Sequence, residues 1–295
     1  MFKKILVPLD GSETAEAILP FVEEIASQAR AEIIVMTAVQ PVAVWDTTVT
    51  VTVLENEESS AVDYLKQVMA KIPGKQSCRV ARGEAAEAIL EAADEEAADL
   101  IAIGTHGRSG LARWLFGSTA GKVLERAKVP VLFLRPKTGE DKGAPGAVVK
   151  KILIPLDGSD LAASILPAVE EFAKTMGASI VLIHAVTPIT ALPGFETQAP
   201  AAVTILDELQ KNAQEFLAKL VAEVKARGVE ATGLVTIDEP VHAILEAADE
   251  TKADLIAVAT HGRGGLGRAI LGSVADGVVR RSADVPCLVL RATEA

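Results

Sequence analysis

The chain has 295 residues, 49% hydrophobic and 23% charged, but only 3% aromatic, so a core would be built from Ala, Val, Ile and Leu. A formal charge of −11 speaks against a nucleic-acid or anionic-membrane footprint, which needs clustered Lys and Arg. Two distant cysteines, Cys78 and Cys287, form neither a disulfide framework nor a zinc motif. The opening MFKK is followed by an apolar run that Asp10 ends at once, too short for a signal segment, and no stretch is long enough to span a membrane. The expectation is a cytoplasmic protein with no nucleic-acid or membrane partner.

In chain order, Ile5–Leu9 reads as a strand and Glu13–Arg30 as a helix with Ile18, Phe21, Val22 and Ile25 on its apolar face. Glu32–Val39 is a second strand, and Gln40–Ser60 an irregular stretch whose TVTVTV could form a short extended strand. Ala61–Ile72 comes next as an amphipathic helix, then Ser77–Ala81 as a weak strand and Glu84–Ala97 as a helix. Leu100–Gly104 is a strand, Thr119–Lys128 a helix and Val131–Arg135 the last strand. Strand and helix alternate, hence a parallel sheet with helices on both faces.

The chain then repeats itself. KKILVPLDGS at 3–12 returns as KKILIPLDGS at 150–159, an offset of 147, while AILEAADE at 88–95 returns at 243–250 and THGR at 105–108 returns at 260–263, an offset of 155. The second copy therefore holds eight extra residues, between its second strand and third helix. Two domains are expected, 1–137 and 150–295, joined by a linker at 138–149 that contains TGEDKGAPGA. The segments Gln40–Ser60 and Thr187–Val203 either border a site or are plain surface loops.

In an open parallel sheet, ligands sit beyond the carboxyl ends of the strands, where strand order reverses. The loops that leave those ends carry Asp10-Gly11-Ser12, then GTHG at 104–107, and Gly117-Ser118-Thr119 at the head of the last helix. Glycines let backbone N–H groups approach a ligand, and a helix N-terminus adds unpaired donors and a positive dipole end, so phosphate binding is implied. There is no Walker loop, and no GxGxxG after the first strand.

The pattern GxxG, nine residues, then G[ST], read here at Gly104, Gly107, Gly117 and Ser118, resembles the ATP-binding signature of the universal stress protein family. VPLDGS, AEAILEAADEEAADLIAIGTHG and VPVLFLRP are similar to that family as well, over nearly all of both copies. The resemblance implies an α/β fold of two tandem Rossmann-like (half-Rossmann) domains, each a five-stranded parallel sheet of order 3-2-1-4-5 with helices on both faces. It also implies an intramolecular pseudo-dimer through the last strands, and leaves room for a homodimer of chains and an unidentified protein partner.

By the same resemblance the ligand is ATP, with Mg²⁺ held through its phosphates. Asp10 would contact ribose or base, the backbone of Val39 the adenine, and Gly104, Gly107, Gly117, Ser118 and Thr119 the phosphates. The matching residues of the second copy are Asp157, Val186, Ala259, Gly262, Gly272, Ser273 and Val274. Ala259 departs from the signature, so the first copy is expected to bind best; the methyl group matters only if the position needs positive φ or close backbone approach.

Other residues admit two readings. Asp10 and Asp157 would serve either the ligand or only as helix caps. His106 and His261 are turn residues that could assist phosphate, and Arg108 and Arg263 either pair phosphate or are solvated. Ser118 and Ser273 have no sequence-placed base and are cap and phosphate donors, not nucleophiles. His184 and His242 receive no function. The expected activity is a nucleotide-dependent regulatory or stress-tolerance module without a catalytic residue; the alternatives are a nucleotide-free scaffold and a slow ATPase.

Overall fold

The computed structural model describes residues 2–40, 47–105, 117–135, 148–188, 199–262, 269–270, 272–282 and 285–292. The expected linker at 138–149 lies almost wholly outside them. The chain divides into two compact units, one built mainly from Met1–Ala147 and the other mainly from Val148 onward.

The first unit runs β1 (Lys4–Pro8), α1 (Glu13–Glu16), α2 (Leu19–Ala29), β2 (Glu32–Val39), α3 (Thr47–Met69), β3 (Gln76–Arg82), α4 (Ala85–Glu95), β4 (Leu100–Gly104), α5 (Ser118–Arg126) and β5 (Val131–Leu134). Its strands are parallel and ordered β3-β2-β1-β4-β5. The second unit repeats the pattern: β6 (Lys151–Pro155), α6 (Asp160–Ala163), α7 (Leu166–Met176), β7 (Ser179–Val186), α8 (Ala199–Ala226), β8 (Ala231–Ile237), α9 (Pro240–Thr251), β9 (Leu255–Gly262), the two-residue β10 (Ala269–Ile270), α10 (Ser273–Arg281) and β11 (Cys287–Arg291). Its strands pair as β8-β7-β6-β9-β11, all parallel. The strand order and fold class expected from the resemblance are thus present in both halves.

Consecutive residues Ile5, Leu6 and Val7, like Ile152, Leu153 and Ile154, are fully buried. Consecutive side chains of a strand point to opposite faces, so both faces of the sheet are covered. Right-handed crossovers put α2 and α3 on one face and α4 and α5, which pack together, on the other. Among the described residues, no helix is long and apolar enough to cross a membrane.

Three local expectations are corrected. Glu13–Arg30 is two helices, because Pro20 near the start of α2 has no N–H for the carbonyl of Glu16 and its ring would clash there; Pro167 does the same between α6 and α7. TVTVTV is helical, inside α3, because its alternation of β-branched residues is a weak preference that continuity with the amphipathic segment after it overrides. Of the irregular stretches expected at 40–60 and 187–203, residues 47–60 and 199–203 are helical, in α3 and α8. The eight extra residues of the second half are five in the segment between Val186 and Ala199 and five in α8, with 28 residues against 23 in α3, less two in the turn after the helix.

The last helices each carry one internal glycine, one position apart when the two halves are aligned and in unlike surroundings. A methyl group on Gly121 of α5 would meet nothing within 4 Å, whereas on Gly277 of α10 it would lie 2.7 Å from Cγ2 of Val241, a branched side chain with little rotamer freedom. Gly121→Ala should raise stability by about 0.5–1 kcal/mol through helix propensity, and Gly277→Ala should lower it by about 1–3 kcal/mol through overpacking. Urea unfolding of the two variants checks the opposite signs.

Candidate functional site

The first wall of each site is the turn after the first strand. Gly11 and Gly158 sit at φ +80° and +86°, a conformation that L side chains rarely adopt. This folds the carboxylate before each glycine onto the serine after it. Asp10 Oδ1 accepts from the Ser12 backbone N–H at 3.0 Å and from its hydroxyl at 2.6 Å; Asp157 Oδ1 accepts from Ser159 at 2.9 and 2.5 Å. The serines are the helix caps, accepting from Ala15 and Ala162 backbone N–H groups at 3.1 Å. The capping role considered for Asp10 and Asp157 is therefore one step removed: each aspartate orients the serine that caps.

The second wall is the end of β4 and β9. Gly104 is not a positive-φ glycine. It is small because α1 crosses it: a Cβ there would stand 2.6 Å from the carbonyl oxygen of Thr14 and 2.9 Å from that of Ala15. Thr105 and Thr260, both buried, tie these strand ends to β5 and β11 through Leu134 and Leu290 carbonyls. His106, Gly107 and Arg108, and Arg263 in the second half, lie outside the described residues. The turn expected around His261 is instead strand, since β9 continues through Gly262; β11 supplies a partner out to Arg291 opposite Thr260, and the Ala292 N–H donates to the Thr260 carbonyl at 3.1 Å.

The third wall is the N-terminus of the last helix. Gly117 and Gly272 are the N-caps of α5 and α10, extended at φ −52° and −61°, and neither can give a side-chain hydrogen bond. By contrast α1, α4, α6 and α9 each carry a side-chain cap from Ser12, Glu84, Ser159 or Glu239. The leading N–H groups of α5, at Ser118 and Thr119, and of α10, at Ser273 and Val274, therefore have no capping acceptor of their own, at the positive end of the helix dipole.

In the second half these walls enclose a cleft of about 240 Å³. Asp157 and Ser159 line one side, Gly272, Ser273 and Val274 another, and Ile183, Ala185, Ile244 and Val258 give an apolar remainder. Ala259 also lines it, with Leu161 and Ala162 of α6, so its methyl group fits without closing the cleft. Val186 is not on the lining; its carbonyl accepts the Asp238 N–H at 3.1 Å, as that of Val39 accepts the Gly83 N–H at 3.0 Å. Asp10, Gly104, Gly117, Ser118 and Thr119 occupy the corresponding strand and helix ends of the first half.

Two residues behind the turns were not singled out by sequence. Tyr64 of α3 donates its hydroxyl to Glu16 at 2.9 Å, and burial together with that carboxylate pushes its pKa up. In the second half Phe216 of α8 meets the edge of His184 at 6.3 Å, and the ring of His184 lies 3.8 Å from where a Cβ of Gly158 would be. Burial holds the His184 imidazole below its usual pKa although Asp157 pulls the other way. Setting the second strands side by side, with Thr37 opposite His184, was the signal available.

Comparison with known proteins adds a family. The model for the universal stress protein family matches residues 1–135 and again 149–291. A universal stress protein of Mycolicibacterium smegmatis is 27% identical, covering 97% of this chain and 96% of the relative. One from Mycobacterium tuberculosis is 29% identical over 66% of this chain, which spans 62% of that relative's length. The crystal structure of a universal stress protein from Archaeoglobus fulgidus superposes with a TM-score of 0.73 over 98% of each chain at 22% identity, a likeness of fold.

Proposed function

The chain belongs to the universal stress protein family as a tandem member, and from that premise we propose that each half holds one adenine nucleotide, ATP, in a nucleotide-dependent regulatory module. The observation that carries the proposal is the bare, glycine-capped N-terminus of α10 lining, with Asp157, one largely apolar cleft. In this reading the phosphates sit on the backbone N–H groups of Ser273 and Val274, the sugar on Asp157, and the base against Ile183 and Ala185. Ser118, Thr119 and Asp10 take the same parts in the first half, with Gly107, His106 and Arg108 contributing as the family signature implies.

Magnitudes suffice without a lysine. A helix end contributes ~0.3–1 kcal/mol, and each hydrogen bond to a charged oxygen ~1.5–3 kcal/mol, against the ~8 kcal/mol of micromolar binding. The lining offers one carboxylate, Asp157, already engaged by Ser159. That donor set fits a Mg²⁺ held by the phosphates and not by a protein cage. Bound so, the ion would neutralise phosphate charge. The same engaged carboxylate makes a poor general base, which favours holding the nucleotide over turning it over.

Ser118→Asp and Ser273→Asp test the assignment. An aspartate in the first turn suits the helix dipole, so the fold should be unharmed or slightly firmer, while its charge repels phosphate. Loss of one charged contact, about 2 kcal/mol, should weaken ATP binding in the double variant roughly thirtyfold. Unaltered affinity would remove the phosphates from these helix ends.

A further inference from the structure

Outside the cleft, Asp238 in the turn before α9 joins His242 and Glu246 of that helix in a second cluster, whose donor atoms all lie within 4.8 Å of one another. His242 Nδ1 stands 2.5 Å from Asp238 Oδ2 and 3.9 Å from Glu246 Oε2, so one imidazole nitrogen is flanked by two carboxylate oxygens. Two of the groups are held from behind. Asp238 Oδ1 accepts the Glu239 backbone N–H at 2.6 Å, which leaves Oδ2 toward the imidazole, and the His242 backbone N–H is fixed to Glu239 at 2.9 Å. Arg281 is the cation whose field opposes a positive charge on His242. Two carboxylates against one guanidinium leave the locality negative.

We propose that Asp238, His242 and Glu246 form a surface site for a divalent transition metal of the Zn²⁺ class. His242 and Glu246, one turn apart on α9, and Asp238 ahead of its N-cap would supply three of the four ligands of a tetrahedral zinc, with water in the fourth position. The imidazole selects the borderline ions Zn²⁺, Co²⁺ or Ni²⁺ over Mg²⁺, which keeps to oxygen. The metal would replace the proton now shared by Asp238 and His242. His242 and Glu246 are 58% and 56% exposed, so an ion held there would exchange freely with solvent. The inner side of the same helix lines the cleft through Pro240 and Ile244, so the metal would sit on the wall of the second site. The first half has Gly83, Glu87 and Glu91 at the matching positions, and Glu87 there is taken by Arg126, so the site belongs to the second half alone.

The test is titration of Zn²⁺ into the metal-stripped full chain in competition with a chromophoric chelator, without nucleotide. One equivalent should be lost in His242→Gln and in the Asp238→Asn, Glu246→Gln double variant, by more than the ~10–100-fold that loss of a supporting hydrogen bond brings. It should persist in His184→Gln. Circular dichroism should be unchanged, since the altered side chains are on the surface. Zn²⁺ binding equal to wild type in either cluster variant would overturn the site. So would equal competition by Mg²⁺, or the absence of any Zn²⁺ equivalent in the wild type.

Discussion

Gly104→Val should unfold the first half more readily, by about 1–3 kcal/mol, and disturb the Asp10 turn with it. The reason is the backbone of α1: carbonyl oxygens of Thr14 and Ala15 stand 2.6 and 2.9 Å from the place a Cβ must occupy, and backbone cannot swing aside as a side chain can. Either α1 lifts, carrying Ser12 and the aspartate hydrogen-bonded to it, or strand β4 shifts. A small side chain is already tolerated at the matching position of the second half, where Ala259 lines the same cleft as Leu161 and Ala162 of α6. Chemical denaturation of Gly104→Val beside Ala259→Val checks the difference, the larger loss being expected at Gly104.

Arg227→Met should cost about 2–3 kcal/mol. Its guanidinium forks onto Glu170, Nε to Oε2 at 2.7 Å and Nη2 to Oε1 at 2.8 Å, and the glutamate side chain is only 4% exposed. Removing the cation leaves a buried carboxylate without its counter-charge, the case that costs ~3–5 kcal/mol for wholly buried pairs; the half-exposed arginine places the effect lower. The double change Glu170→Leu, Arg227→Met should recover most of the loss, since a pair of apolar groups has no charge to strand. Thermal unfolding of the two variants separates these outcomes. In the first half the corresponding Glu23 shows the penalty alone, burial raising its carboxyl pKa.

The repeat made much of this fold legible in the sequence. Two copies of KKIL[VI]PLDGS marked the first strand and its turn, and the short runs around Leu6, Ile34 and Ile101 read as buried parallel strands because no polar residue interrupts them. Strand order came from family resemblance, since pairing of β1 with both β2 and β4 leaves no local trace. The helix break at Pro20 is legible in the sequence as a missing N–H, whereas the helix through TVTVTV depends on the amphipathic residues C-terminal to it in α3. In the candidate site, the glycines read as places where the backbone nears a ligand, whereas the close approach at Gly104 is made by a helix of the protein itself. The serine caps at Ser12 and Ser159 are not legible in the sequence, because the aspartate two residues before each is an equally good capping residue. His242 could not be grouped with Asp238 by pattern alone, because the aspartate stands before the helix begins.

Both halves are expected to hold a nucleotide, the second in spite of Ala259. Calorimetric titration of ATP into the wild-type chain, repeated on Ser273→Asp alone, tests this most directly. The expected result is two equivalents per chain in the wild type, and in the variant one equivalent of unchanged affinity beside one roughly thirtyfold weaker. A single equivalent in both would contradict it and leave the cleft beside Ala259 without its ligand.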